Sequence, residues 1–280
     1  MKDRILELID GYFSCSKPPT PHHGRSRACF SEEMQCWLHF KGGGWTWGSK
    51  LFLSSQKEDL IFGLYDLKSA QRELAVSKWF NNQKELPVCT TEVLGWANLK
   101  DISVFQSDVY DVSQYILSSK KVPNPVVLIT KSQTQYRVFD LLFFDEQERR
   151  RIFYDAWGKK GVSQTDACIE FVKLMARSLA NLHIHGGSND SLVWDNVTIL
   201  GEWTDFEWIY VPGIPQFCGS TDEKLFARQW KNCFDTMEII DRLIYMICTK
   251  EDSVRNEYMI VCLEEYEKHN GPIPFREDWL

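Results

Sequence analysis

The chain has 280 residues, of which 44% are hydrophobic and 25% charged, and its formal net charge is −7. This length accommodates one large domain or two closely packed lobes. The composition argues against general disorder, and the acidic balance argues against a protein that coats nucleic acid. The N-terminus shows no signal peptide, and no apolar run reaches membrane-spanning length. We therefore expect a cytoplasmic protein that partners neither nucleic acid nor a membrane.

The nine cysteines are scattered singly along the chain, without a Cys-x-x-Cys pair. That spacing argues against a zinc site and against a thioredoxin-like motif. An odd number of separate cysteines favours reduced and mostly buried thiols, as in other cytosolic proteins.

The first half of the chain contains most of the predicted strands. Helical spacing of apolar residues predicts helices over 3–13 and 69–80, the second with Ser69 as its N-cap. Alternating patterns and short apolar runs predict strands, at 36–41, 60–64, 91–95, 126–130 and 136–139.

The second half is richer in helices. Apolar residues at helical intervals predict a helix over 165–183, capped by Thr165 or Ser163. One or two helices are predicted over 223–249 and a last one over 251–269. The whole pattern predicts an α+β chain in three parts: a helix and Pro/His loop (1–30), a strand-rich N-lobe (31–124) and a helical C-lobe (125–280). In coarse outline, this is the bilobal layout of protein kinases.

The segment from His185 to Trp208 carries the clearest chemical pattern. It places Asp195, Asn196 and Asp205 around a short apolar strand predicted over 197–200. An Asp-Asn pair, a strand and a second Asp are how protein-kinase-like folds present a base and two magnesium ligands to ATP. Magnesium prefers oxygen ligands, so one Asn and one Asp suffice when phosphate oxygens and water complete the shell.

Residues upstream add candidates for holding the phosphates of ATP. Lys41 precedes the triplet of residues 42–44, glycines whose backbone N–H groups can approach a phosphate closely. Glu73, on the predicted helix over 69–80, is a candidate ion-pair partner for Lys41. Arg137 is a candidate for a second, bidentate phosphate contact.

Four motifs also follow one another in the order of a known family. They are Lys41-Gly-Gly-Gly-Trp-Thr46, Arg72-Glu73-Leu74, Pro87-Val-Cys-Thr90-Thr91, and the stretch from His185-Gly186 through Asp195-Asn196 to Thr204-Asp205. Together they resemble the selenoprotein-O-like (SelO or YdiU) family of protein-kinase-like proteins, over about residues 36–210. The resemblance implies a bilobal kinase-like fold and transfer of AMP from ATP to a hydroxyl acceptor on a protein or small molecule.

The resemblance also implies a role for each matching residue. Asp195 would be the base, and Asn196 and Asp205 would hold Mg²⁺, for which Mn²⁺ can substitute. The residues implied to bind or support ATP are Lys41, Gly42, Gly43, Gly44, Thr46, Glu73 and Arg137. Members of the family have two arginines near the γ-phosphate; Arg137 matches the second, whereas Thr130 stands at the position of the first.

Departures from the family pattern keep alternatives open. Four residues, 191–194, are inserted before Asp195, so Asp190 is an alternative base. The loss of one arginine favours a second function, phosphoryl transfer to a small molecule. A third is a catalytically inactive kinase-like module that binds or regulates a partner. His183 and His185 are expected to support the loop rather than to bind a metal, since no Cys/His cluster accompanies them.

Overall fold

The computed structural model describes residues 2–13, 20–22, 26–42, 65–102, 124–215, 222–248 and 250–271. Helices are combined with an antiparallel sheet, so the predicted mixture of helices and strands is present. The chain divides into two compact units, the first of Met1–Ala75 with Thr91–Gln135 and the second of Val76–Thr90 with Tyr136–Leu280. This division differs from the predicted boundary at residue 124, because the strand that begins at Pro125 is part of the first unit's sheet.

The described residues of the first unit form an N-terminal helix and six strands. These are α1 (Lys2–Phe13), β1 (Thr20–His22), β2 (Ser26–Ser31), β3 (Cys36–Lys41), β4 (Tyr65–Asp66), β5 (Glu92–Asn98) and β6 (Pro125–Ser132). Helix α2 (Leu67–Asn82) begins in the first unit, and its residues from Val76 onward belong to the second.

Strand β6 is the centre of the sheet, and its apolar residues 126–129 are all fully buried. It pairs antiparallel with β3, β4 and β5, while β2 and β1 continue the sheet beyond β3. Since β5 spans residues 126–131 of β6 along one edge, β3 and β4 share the other edge. Lys41 lies opposite Leu128, and Tyr65 lies opposite Val126. The end of β3 therefore lies close to the start of β4.

Helix α1 covers one face of this sheet with its apolar side. Ile9 and Phe13 are buried against Leu38 and Phe40, and the rings of Phe13 and Phe40 meet edge to face at 5.3 Å. Burial of large apolar side chains is the main stabilising contribution at such a contact. The helix predicted over 3–13 is therefore confirmed, with its apolar side against the sheet.

The cap predicted for α2 was wrong. Ser69 lies inside the helix, and its backbone N–H donates to Asp66 Oδ1 at 2.9 Å, so Asp66 caps the helix. Asp and Ser are both good N-caps, and here the strand β4 ends at Asp66 and fixes where the helix begins. The strand predicted over 60–64 lies outside the described residues.

The second unit is mainly helical. Its elements are α3 (Glu146–Gly158), α4 (Gln164–Ile184), β7 (Ser188–Asn189), β8 (Ile209–Tyr210), α5 (Asp222–Ile247) and α6 (Asp252–Asn270), with 3-10 turns at Val138–Phe143, Trp194–Asn196 and Phe206–Trp208. The helices predicted over 165–183, 223–249 and 251–269 are confirmed, the middle one as a single helix. Ser163 Oγ caps α4 by accepting from the backbone N–H of Asp166 at 3.2 Å. Among the described helices, none is both long and apolar enough to cross a lipid bilayer.

Two short predicted strands do not form. Residues 136–139 pair only through an isolated bridge at Arg137, after which the Asp140 carboxylate accepts from the Arg137 backbone N–H and turns the chain into the 3-10 helix. Over 197–200, Thr198 Oγ1 accepts from the backbone N–H groups of Leu200 and Glu202. These side-chain hydrogen bonds close a turn where a strand ladder would otherwise continue.

Candidate functional site

An ion pair lies at the end of β3 in the first unit. Lys41 Nζ is 2.5 Å from Glu73 Oε1, and the two side chains are 12% and 2% exposed. Helix α2 begins directly after β4 and carries Glu73 to this strand end. Taking both charges out of water is costly, and removal of either partner would take from the other the opposite charge that lies 2.5 Å away. The expected Lys41–Glu73 pair is therefore present.

Tyr65 packs against both members of this pair. Its hydroxyl donates to Glu73 Oε1, the same oxygen that accepts from Lys41, and its ring centroid is 4.3 Å from Lys41 Nζ. The Lys41 ammonium thus lies against a carboxylate and an aromatic face, both of which attract a cation. Sequence reasoning missed Tyr65, because no local pattern connects it to Lys41.

Gly42 is explained by packing within the sheet. Its φ of +85° lies in the left-handed region that favours glycine. A Cβ at this position would lie 2.4 Å from the Val126 carbonyl oxygen and 2.7 Å from Tyr65 Cβ. This close approach accounts for the glycine without any phosphate. The remaining loop residues expected to bind ATP, Gly43, Gly44 and Thr46, lie outside the described residues.

In the second unit, Ser191 joins the two predicted magnesium ligands. Asn196 Nδ2 donates to the Ser191 carbonyl oxygen at 3.0 Å, and Ser191 Oγ donates to the Asp205 carbonyl oxygen at 3.2 Å. A backbone hydrogen bond of 2.8 Å from Thr204 to Asn196 holds the two chain segments side by side. Asn196 and Asp205 are therefore brought together, by a serine within the inserted segment that the sequence did not single out.

The chemistry of these donors fits a magnesium ion. Because Asn196 Nδ2 donates to Ser191, the amide oxygen is oriented as the acceptor atom of this side chain, the atom type that can coordinate a cation. Asp205 supplies a carboxylate, and hard oxygen ligands of this kind are those that Mg²⁺ selects. Asp205 has a φ of 60° and a ψ of 75°, a left-handed conformation that is uncommon outside glycine and clusters at functional sites.

Arg137 contacts the same loop. Its Nη1 donates to the Asp195 carbonyl oxygen at 2.5 Å and lies 3.5 Å from Asn196 Oδ1. The second distance is at the limit for a hydrogen bond, so the carbonyl contact is the stronger one. Arg137, expected as a phosphate ligand, is thus engaged in holding the loop that carries Asp195 and Asn196.

The position expected to carry the other arginine lies in the middle of the sheet. Thr130 pairs with His39 of β3 and Val93 of β5. Its neighbour Lys131 lies 3.5 Å from Glu92 Oε2 in a pair that is 40% and 48% exposed. Lys131, the cation that follows Thr130 in the sequence, is therefore paired with Glu92.

The two candidate bases differ in their surroundings. Both residues are exposed, and Asp195 lies in the 3-10 turn Trp194–Asn196. Asp190 directly follows β7, and its Oδ2 is 3.3 Å from Arg228 Nε. Burial raises the pKa of Asp190 above its ordinary value, and the Arg228 charge partly offsets that rise. A raised pKa brings a carboxylate closer to the range useful for a general base.

Asn232, which sequence reasoning also missed, anchors the start of the loop. This fully buried side chain on α5 accepts from the Asn189 backbone N–H at 2.8 Å and donates to the Asn189 carbonyl oxygen at 2.6 Å. Asn189 Oδ1 in turn accepts from the Ser191 backbone N–H at 3.0 Å. It also lies 3.1 Å from Ser191 Oγ, whose single proton is donated to the Asp205 carbonyl oxygen. A chain of hydrogen bonds therefore runs from α5 to the residue that joins Asn196 and Asp205.

His183 belongs to the buried support of this region. Its Nδ1 lies 2.7 Å from Tyr266 Oη, and the residue is buried. Burial lowers the pKa of His183 from 6.5 to about 4. The imidazole therefore stays neutral in the folded protein at neutral pH.

Stability is expected to fall in mild acid because of this histidine. In the unfolded chain His183 binds a proton near pH 6.5, whereas in the folded chain it does so only near pH 4. The unfolded state thus binds more protons than the folded state between these pH values, which lowers the free energy of unfolding as the pH falls. In the His183→Gln variant, this acid-induced decrease in the free energy of unfolding should be smaller by about 3 kcal/mol. Urea unfolding at stepwise pH measures this, and equal pH dependence in variant and wild type would refute it.

The predicted site residues thus form two sets. Lys41 and Glu73 meet in the first unit, while Asp195, Asn196 and Asp205 are held together with Arg137 in the second. No protein-family model matches the chain, and no match is found among curated proteins.

Proposed function

We propose that the chain is an ATP- and Mg²⁺-dependent transferase with a bilobal protein-kinase-like fold, a divergent relative of the SelO or YdiU family. Its proposed reaction is the transfer of AMP to a hydroxyl group on a protein or small molecule. The observation that carries the proposal is the attachment of Asn196 and Asp205 to Ser191, which places two residues with hard oxygen ligands side by side. A strand-rich unit and a helical unit support the proposed fold.

Each candidate residue has its own role in this proposed reaction. Asn196 Oδ1 and the Asp205 carboxylate would hold Mg²⁺, which would supply neutralisation of charge on the phosphate oxygens. The Lys41 ammonium binds phosphate oxygens, and Glu73 keeps that ammonium at the end of β3. Asp195 orients the acceptor hydroxyl and receives its proton. The hydroxyl oxygen then bonds to the α-phosphorus, whose bond to the bridging oxygen breaks as pyrophosphate leaves.

Phosphoryl transfer to a small molecule is the second candidate, and the contacts of Arg137 favour it. The AMP-transferring family uses two arginines near the γ-phosphate, and Thr130 replaces one of them here. Arg137 donates to the Asp195 carbonyl oxygen at 2.5 Å, which leaves fewer of its N–H groups for a phosphate. In this reaction the acceptor oxygen bonds to the γ-phosphorus and ADP leaves.

The products of ATP consumption distinguish the two reactions. The protein is incubated with Mg²⁺ and ATP labelled at the α or the γ phosphate, together with a library of Ser, Thr and Tyr peptides. Pyrophosphate release and transfer of the α label are expected. ADP release with transfer of the γ label alone would replace AMP transfer by the second reaction, and no product of either kind would overturn the proposal.

The choice of base has its own test. Because Asp195 adjoins Asn196, Asp195→Asn is expected to lower kcat by about 100-fold or more. The matched variant Asp190→Asn should lower kcat by less than about tenfold, since Asp190 is engaged by Arg228. Steady-state rates and MgATP affinity are measured for both variants. The opposite ranking, with affinity retained, would assign the base to Asp190.

A further inference from the structure

Tyr65 is fully buried, and its hydroxyl contacts Glu73, the ion-pair partner of Lys41. The hydroxyl donates to Glu73 Oε1, which also accepts from Lys41 Nζ at 2.5 Å. The ring of the same tyrosine lies beside that ammonium, with its centroid 4.3 Å from Nζ. One side chain therefore contacts the anion through its polar end and the cation through its aromatic face.

The backbone fixes where this tyrosine lies. Tyr65 pairs with Val126 of the central strand, and its Cβ would be 2.7 Å from a Cβ placed on Gly42. Tyr65 is also 0% exposed, so its ring has little freedom to change rotamer within a packed interior. The position of the hydroxyl is therefore set by the sheet.

Two consequences follow for the ion pair. The tyrosine donor orients the Glu73 carboxylate, because rotation of that carboxylate would break the contact with the hydroxyl. The aromatic face provides a second attraction that holds the ammonium at the end of β3. A lysine held in this way loses less conformational freedom when it binds a phosphate.

We propose that Tyr65 is a positioning residue, which holds Lys41 and Glu73 in the arrangement that binds the polyphosphate of ATP. This inference rests on the proposed function, since it specifies how the ATP-dependent transferase orders its phosphate-binding lysine. Tyr65 acts through Lys41 and Glu73, and its own hydroxyl does not take part in the chemical step.

The variant Tyr65→Phe tests the inference, because it keeps the ring and removes only the hydroxyl. We expect the Kd and KM for MgATP to rise about 10-fold or more, the lower end of the range for a hydrogen bond to a charged group. The change in kcat should be smaller than the change in KM. Tyr12→Phe is the matched control, because it removes a tyrosine hydroxyl that donates to Ser31 Oγ in the same unit. That control should leave Kd and KM unchanged.

Calorimetric binding, steady-state rates and the melting temperature without nucleotide separate the outcomes. A lower melting temperature with wild-type Kd and KM would mean a purely structural role and would overturn the inference, while leaving the proposed function intact. An equal rise in KM for Tyr12→Phe would also overturn it. Failure of the wild-type protein to bind MgATP would overturn the inference and the proposed function together.

Discussion

Replacing Lys41 by methionine is expected to lower kcat/KM for MgATP by about 100- to 1,000-fold, as for loss of one fixed donor to a developing charge. The reason is that Lys41 is the cation held at the end of β3 by a buried carboxylate. The variant should also bind MgATP more weakly, because in the proposed complex the ammonium contacts phosphate in the ground state too. Steady-state kinetics and calorimetric titration measure the two effects.

The single variant has a second effect that must be separated from the first. It removes the cation that lies 2.5 Å from Glu73 Oε1, and Glu73 is only 2% exposed, so stability should fall by about 3–5 kcal/mol. The double variant Lys41→Met/Glu73→Gln removes both charges and should recover part of that stability without recovering activity. Lys131→Met is the control, since its pair with Glu92 is 40% and 48% exposed and contributes little to stability. Full activity in the folded double variant would contradict the role of Lys41.

Asp205→Asn is expected to lower kcat by about 100-fold or more, because the proposed carboxylate ligand for Mg²⁺ is lost. Asparagine is the suitable replacement here, since it tolerates the left-handed backbone at φ 60° better than alanine does. The folded state should therefore persist, and the Mg²⁺ concentration that gives half-maximal rate should rise.

Activity measured over a magnesium titration checks this expectation for Asp205. The control is Asp155→Asn, which removes a carboxylate that pairs with Arg151 on α3, at 59% exposure. This control should keep the wild-type rate and magnesium dependence. If Asp205→Asn behaved like the control, Asp205 would not be a magnesium ligand.

Longer periodic segments could be predicted from the sequence because their apolar residues repeat on one side. Residues 167, 171, 175, 179 and 182 of α4 recur at helical intervals and are all buried. The strand over 36–41 was predicted with its observed bounds, since Lys41 ends an apolar alternation directly before a glycine turn. In both cases the spacing of apolar residues matches the period of the element that forms.

Short elements were harder to predict, because single hydrogen bonds decide them. Residues 136–139 have strand-like composition, yet the Asp140 carboxylate accepts from the Arg137 backbone and starts a 3-10 helix. The start of α2 depended on which of two good caps lies at the end of β4, and that end is set by pairing with β6. Neither contact is visible in a pattern of apolar residues.

The candidate site shows the same distinction. The pairing of Lys41 with Glu73 could be predicted from their order and type, and the structure contains it. Tyr65, Ser191 and Asn232 could not, because each acts through contacts that only the folded chain creates. The roles of Asn196, Asp205 and Arg137 toward ATP remain predictions for experiment.

The most direct test of the central claim is the stabilisation of the protein by MgATP. Nucleotide that binds only the folded state should stabilise it by about 2.7 kcal/mol at about 100 times its Kd. We expect this stabilisation in thermal unfolding, its loss on chelation of Mg²⁺, and its reduction in both Asp205→Asn and the Lys41→Met/Glu73→Gln variant. The same melting temperature with and without MgATP would contradict an ATP- and magnesium-dependent transferase.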